Sequence, residues 1–290
     1  MAESGLIIVD KPGEWTSHDV VAKMRRLAGT RRVGHAGTLD PMATGVLVIG
    51  VEKATRLLGH LTLTEKVYEA TIRLGVTTNT DDAEGEVTAT ASASAVTPGE
   101  IHKGVAALTG EIMQIPPQVS AIKVNGQRAY KKARAGEEVE LAARPVTVRE
   151  FAVLDIRAEG DVVDVDAVVT CSSGTYIRAL ARDLGAGLGV GGHLTRLRRT
   201  RVGPYDLSLA RSIEQLTEEC VILPIGEAVA AAFPRRDVTA EEARVIGHGG
   251  RLPAAGLGPG PIGVFGPEGE LLALVEEQGR TARPLAVFVG

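Results

Sequence analysis

The sequence predicts an α+β fold built on a mixed, largely antiparallel sheet, followed by a small β-rich tail. Three observations predict it. Stretches of alternating apolar and polar residues read as strands. Helical periods fall between them without the regular strand–helix alternation of a doubly wound sheet. Beyond "AAFPRRD" the chain turns to short apolar runs separated by Gly/Pro-rich turns.

Each element follows from its residues. "LIIV" reads as a strand that Lys11-Pro12-Gly13 breaks. Thr16 and Asp19 carry capping-box spacing, so a helix opens at Thr16 or Ser17. Val20, Met24 and Leu27 form its apolar stripe, and Gly29 stands where a C-terminal cap belongs. "GHAGTLDPMATGVLVIG", from Gly34, is a Gly/Thr/Pro loop that runs into an apolar strand. In "KVYEATIRLG", alternation places Tyr68, Ala70, Ile72 and Leu74 on one face; in "DVVDVDAVV", Val163, Val165, Ala167 and Val169 oppose Asp164 and Asp166. "CSSGTYIRALARDLG" changes to a helical stripe of Ile177, Leu180, Ala181 and Leu184, which Gly185 is expected to end. From about 118 to 144 the chain is polar, basic and weakly periodic, an insertion expected to order on binding. Thr239 and Glu242 open a short helix that stops at Gly247, and "GPEG" is a turn between two apolar runs. The expected division is a main domain over 1–234 and a small β-rich domain over 235–290.

With 44% hydrophobic and 23% charged residues the chain reads as folded. Its formal charge of −4 announces no polyanionic partner, yet three acid-free cationic clusters do. They hold Arg31 and Arg32; Lys123, Arg128, Lys131 and Lys132; and Arg196, Arg198 and Arg199. Two cysteines, Cys171 and Cys220, are too few for a disulfide framework or a Cys-rich zinc site. No HExxH or compact His/Asp cluster suggests a metal. Neither a signal peptide nor a membrane-length apolar run is found, so the cytoplasm is expected.

Taken alone, the polar residues keep several readings. Asp40 before Pro41 suits an Asx-type turn as well as a catalytic acid. A phosphate cradle fits poorly, because "GHAGTLDP" has neither Walker nor GxGxxG spacing. Arg178, with Arg182 one turn on, reads as a solvated helix face; Tyr68, Tyr176 and Leu197 read as core; His35 reads as a structural histidine.

The ordered motifs change this balance. "GHAGTLDPMATGVLVIG" resembles the signature loop of the TruB-type pseudouridine synthases. The resemblance continues through Lys11-Pro12 with Thr16-Ser17, Lys66-Val67-Tyr68 with Leu74-Gly75, and Ser120-Ala121 with Lys123. It closes with Gly174-Thr175-Tyr176-Ile177-Arg178, Asp183-Leu184-Gly185, His193 and Leu197-Arg198-Arg199. The tail resembles a PUA-like RNA-binding domain.

The resemblance implies an isomerase that turns uridine 55 of the tRNA T loop into pseudouridine, with no cofactor or metal. It implies catalytic roles for Asp40, Arg178 and Tyr68, and contacts to the flipped base from His35, Tyr68, Tyr176, Leu197 and Lys11. The cationic clusters would meet RNA phosphates. Such a chain is expected to act alone, as a monomer, on the T arm of tRNA. An RNA-refolding protein without chemistry and a guide-RNA-dependent relative are the rival readings; the former would not need Asp40. Two departures stand out: Ala36 replaces a usual Thr, and in Pro12-Gly13-Glu14 the glycine comes one position early.

Overall fold

A computed structural model describes residues 3–118, 123–124, 127–128 and 141–289. Its main elements begin with β1 (Gly5–Lys11), α1 (Ser17–Leu27), β2 (Val33–Ala36), β3 (Thr44–Val51), β4 (Lys66–Leu74) and α2 (Pro98–Ala107). They continue with β5 (Gly110–Gln114), β6 (Arg144–Glu159), β7 (Val162–Cys171), α3 (Ile177–Gly187) and β8 (Gly192–Val202). The last are α4 (Ile225–Ala232), α5 (Ala240–Gly247), β9 (Pro261–Phe265), β10 (Leu271–Gln278) and β11 (Thr281–Val287). The chain forms two compact units: residues 1–39, 46–63 and 202–290, and residues 40–45 with 64–201.

In the first unit β2 pairs antiparallel with β3, and β1 neighbours β3. Thr16 and Asp19 form the expected capping box on α1, with Val20 and Met24 buried. Glu14 adopts φ 67, a left-handed conformation that glycine takes without strain. It stands at the position where the resemblance places the glycine. Thr239 and Glu242 cap α5 reciprocally. β9, β10 and β11 are successive antiparallel neighbours, with "GPEG" turning β9 into β10. Val264, Ala273, Val275 and Ile246 build one core there, while Phe265, Leu274 and Phe288 join Leu6, Val46 and Val48 in another.

The second unit carries strands in the order β8–β4–β7–β6–β5. β4–β7, β7–β6 and β6–β5 are antiparallel, and the first residues of β3 lie parallel to β8. The expected alternation holds: Tyr68, Ala70, Ile72 and Leu74 are buried, as are Val163, Val165, Ala167 and Val169. On the other face Asp164 pairs with Arg73. The expected end of the helix at Gly185 needs correction, because α3 runs on to Gly187. A Cβ at 185 would lie 2.2 Å from the backbone of Gly191 and Gly192, so this glycine permits close approach of the chain.

Candidate active site

The site grows from a charged row in the second unit. Asp40 opens the loop into β3. Gly45 (φ +99) lets that loop pass β8, since a Cβ there would meet the Arg199 carbonyl oxygen at 2.1 Å. Arg178 projects from the first turn of α3. Its Nε lies 3.0 Å from Asp40 Oδ2, and its Nη2 donates to Asp40 Oδ1 at 3.2 Å. One hydrogen bond, from Nη2, and one ion-pair contact, at Nε, thus hold the carboxylate against the guanidinium. The Arg178 side chain is 4% exposed and that of Asp40 is 35% exposed. One member is thus sealed in the protein, while the other keeps an open edge.

The solvated helix face expected of Arg178 on periodicity alone is therefore wrong, because its partners come from distant loops. A segment that sequence reading passed over supplies the rest. In "TTNTDDAEGE", Thr80 offers its carbonyl oxygen to Arg178 Nη1 at 2.8 Å, and Asp82 Oδ2 lies 3.6 Å from Arg178 Nε. The Asp82 side chain is 4% exposed. It accepts from Thr80 Oγ1 at 2.6 Å and from the Glu84 N–H at 3.1 Å. Asp81 takes φ 60, and its buried carboxyl is pushed up by desolvation against the pull of Arg182 and Arg178. The readable signal was an acid pair between threonines and Gly85, where a Cβ would strike Thr80 Oγ1 at 2.2 Å.

Tyr68 lies buried on β4, two residues from buried Lys66. Burial pushes the Tyr68 hydroxyl up; its hydrogen-bonded neighbour Arg199 pulls it down, and the Asp40 charge pushes it further up. Burial also drives the Lys66 ammonium down to about 8, and the Arg199 charge adds to this. Lys66 stands opposite Cys171 in the β4–β7 register, and burial raises that thiol to about 11. Leu197, buried on β8, has the strand parity of Arg199. Tyr176, half-buried, is the N-cap residue of α3.

The second unit contains Asp40, Arg178, Tyr68, Tyr176 and Leu197, with Arg178 and Tyr68 within electrostatic reach of Asp40. His35 and Lys11 belong to the first unit. The His35 ring meets His18 edge-on at 5.7 Å, and Lys11 is buried with Nζ donating to the carbonyls of Pro12 and Trp15. Lys11, expected to touch substrate, here holds its own loop. Arg199, expected on RNA phosphates, is 1% exposed and turned toward Tyr68, because strand parity takes it inward. Arg31, Arg32 and Arg196 are exposed; Arg32 pairs with Glu52 and Arg196 with Glu69. Arg198 is half-buried and donates to Thr44 Oγ1. Lys131 and Lys132, the side chains of Lys123 and Arg128, and nearly all of the expected insertion lie outside the described residues.

Comparison with known proteins gives this arrangement a lineage. Residues 25–177 match the model of the TruB family pseudouridylate synthase N-terminal domain. Residues 178–229 match the tRNA pseudouridylate synthase B C-terminal domain, and residues 233–289 match the tRNA pseudouridine synthase II C-terminal region. A tRNA pseudouridine synthase B of Thermobifida fusca is 63% identical over 290 residues, covering 99% of both chains. One of Streptomyces coelicolor is 64% identical over 291 residues, covering 98% of this chain and 97% of the relative. Among solved structures, a chain of a Cbf5-Nop10-Gar1 complex superposes with a TM-score of 0.74 at 28% identity, covering 98% of this chain and 84% of that one. A chain of an H/ACA RNP bound to a substrate RNA containing 2'-deoxyuridine gives a TM-score of 0.73 at 26% identity, covering 99% and 85%. The motif order, the buried arginine on the loop aspartate and near-full-length relatives at this identity converge: the chain belongs to the TruB family of pseudouridine synthases.

Proposed function

We propose that this chain acts on tRNA and converts uridine 55 of the T loop to pseudouridine, with Asp40 as the catalytic carboxylate. The observation that carries the reading is the half-open Asp40 held by the sealed Arg178. Two-point contact with a planar cation holds the carboxylate and leaves its open edge aimed at one place. The reaction breaks the N1–C1′ bond and forms the C5–C1′ bond. The C5 proton leaves, and N1 ends protonated. No electrons are gained or lost, so the chemistry asks for an oriented anion and a pocket for a rotating base.

A uridine stacked in a loop must swing out to reach Asp40. Tyr68 supplies a flat apolar face beside the carboxylate, and Tyr176 and Leu197 close around the base. Stacking of this kind contributes on the order of 1–3 kcal/mol per base. Exposed Arg31, Arg32 and Arg196 meet phosphates and set register without reading sequence. In this reading residues 1–234 carry the chemistry and the PUA-like tail over 235–290 grips RNA, in a cytoplasmic monomer that needs no protein partner.

The test is to incubate the purified chain with an unmodified tRNA transcript and map pseudouridine along it. Product at position 55 is expected. Product confined to other positions, or none with folded protein, refutes the assignment.

A further inference from the structure

The first turn of α3 has an unusual support. Tyr176, its N-cap residue, provides no side-chain cap. A helix start leaves backbone N–H groups without partners inside the helix, and some other group has to meet them. Here one side chain serves the Tyr176 peptide groups at both ends. Gln114 Oε1 accepts from the Tyr176 N–H at 2.8 Å, and Gln114 Nε2 donates to the Tyr176 carbonyl oxygen at 3.0 Å. Gln114 is 2% exposed and is the last residue of β5, paired with Arg144 on β6. The next residue repeats the grip further along α3: the Ile115 carbonyl accepts from Arg182 Nη2 at 2.7 Å. Arg182 also reaches Asp81 and Asp183, so the same helix is tied to the acid loop that holds Arg178.

We propose that Gln114 is a positioning residue for the reaction, acting through Arg178. Arg178 lies two residues beyond the clamped Tyr176, and its hydrogen bonds to Asp40 and Thr80, with the Nε–Asp40 ion-pair contact, require a fixed start to the helix. A primary amide of this reach donates and accepts at once; Asn is one methylene short, the Met thioether cannot donate and accepts only weakly, and an ionised Glu cannot donate. A protonated Glu can do both. That difference makes the clamp switchable in a variant. The carboxyl that Gln114→Glu introduces would face the Tyr176 carbonyl oxygen and hold its proton above the ordinary range.

The inference rests on the proposed pseudouridine synthase reading, and wild-type conversion of the transcript serves as its control. The experiment compares single-turnover conversion and tRNA affinity for the full chain, Gln114→Met and Gln114→Glu between pH 5.5 and 8. Gln114→Met is expected to convert at least tenfold more slowly at all pH values, with affinity within threefold and a lowered melting midpoint that still lies above the assay temperature, since two buried backbone groups lose their partner. For Gln114→Glu the rate relative to wild type is expected to climb as pH falls, while the Met ratio stays flat. Rates within twofold of wild type for both variants overturn the proposal. So does a loss that follows affinity or folded fraction, since that marks a merely structural tie. If Gln114→Met does not fold, the pH course of the Gln114→Glu ratio decides: a rise on acidification supports the clamp, and a flat ratio refutes it. Inactive wild type would instead strike at the functional reading itself.

Discussion

Removing Asp82 probes the charged row without touching the carboxylate assigned to catalysis. Its side chain is sealed and makes three contacts: Thr80 Oγ1 at 2.6 Å, the Glu84 N–H at 3.1 Å and Arg178 Nε at 3.6 Å. In Asp82→Ala the Glu84 N–H loses its carboxylate acceptor, and buried Arg178 loses one charged partner while keeping its ion pair with Asp40. Breaking one side of a buried ion pair costs about 3–5 kcal/mol, and a hydrogen bond to a charged group is worth about 1.5–3 kcal/mol. Because Asp40 remains on Arg178, the lower part of this range applies, and about 3 kcal/mol is expected. Asp82→Asn keeps an acceptor for the Glu84 N–H and loses the charge, so about half of that loss is expected. Denaturant unfolding of wild type and both variants gives the stabilities, and single-turnover conversion of tRNA gives the rates. With the second anchor gone, Arg178 holds Asp40 less firmly, and Asp82→Ala should convert at least tenfold more slowly. A stability change below about 0.5 kcal/mol, the scale of an ordinary surface substitution, together with an unchanged rate, would refute the claim that Asp82 supports Arg178.

Two further outcomes follow from the fold. Gly185→Ala places a Cβ against the backbone of Gly191 and Gly192, and overpacking of this kind is expected to cost about 1–3 kcal/mol or more in denaturant unfolding; a neutral result would contradict the close approach. The Lys66 pKa lies at about 8 in the folded chain against 10.5 for the free group, so between those values the unfolded chain binds the extra proton and stability rises with pH. At about 1.4 kcal/mol per unit, wild type should gain about 3 kcal/mol relative to Lys66→Met from pH 7.5 to 10.5. Cys171 is coupled to Lys66, so both proteins carry Cys171→Ala; the difference would stay flat if Lys66 were solvated.

Much of this architecture was legible in the residues. Period-two alternation placed Tyr68 and Val165 on buried faces, and the capping spacings at Thr16 and Thr239 marked helix starts that the structure keeps. What escaped was non-local. Arg178 lies 138 residues from Asp40, and no periodicity says that a helix-start arginine will be buried by two loops. Asp82 and Gln114 looked like ordinary turn and strand-end residues, since their meaning lies in partners 96 and 62 positions away. Gly185 carried a signal that was real but misassigned: glycine at a helix end and glycine at a backbone crossing look alike in one dimension. Lys66 shares the parity of Tyr68, and its burial could have been taken from the same alternation that buried the tyrosine.

Substituting Asp40 by Asn changes the fewest atoms while removing the charge that Arg178 holds in place. Under single-turnover conditions with excess enzyme and unmodified tRNA, Asp40→Asn should form no pseudouridine at position 55 while binding tRNA within severalfold of wild type. Conversion at a rate near wild type would contradict the assignment of that carboxylate to the chemistry.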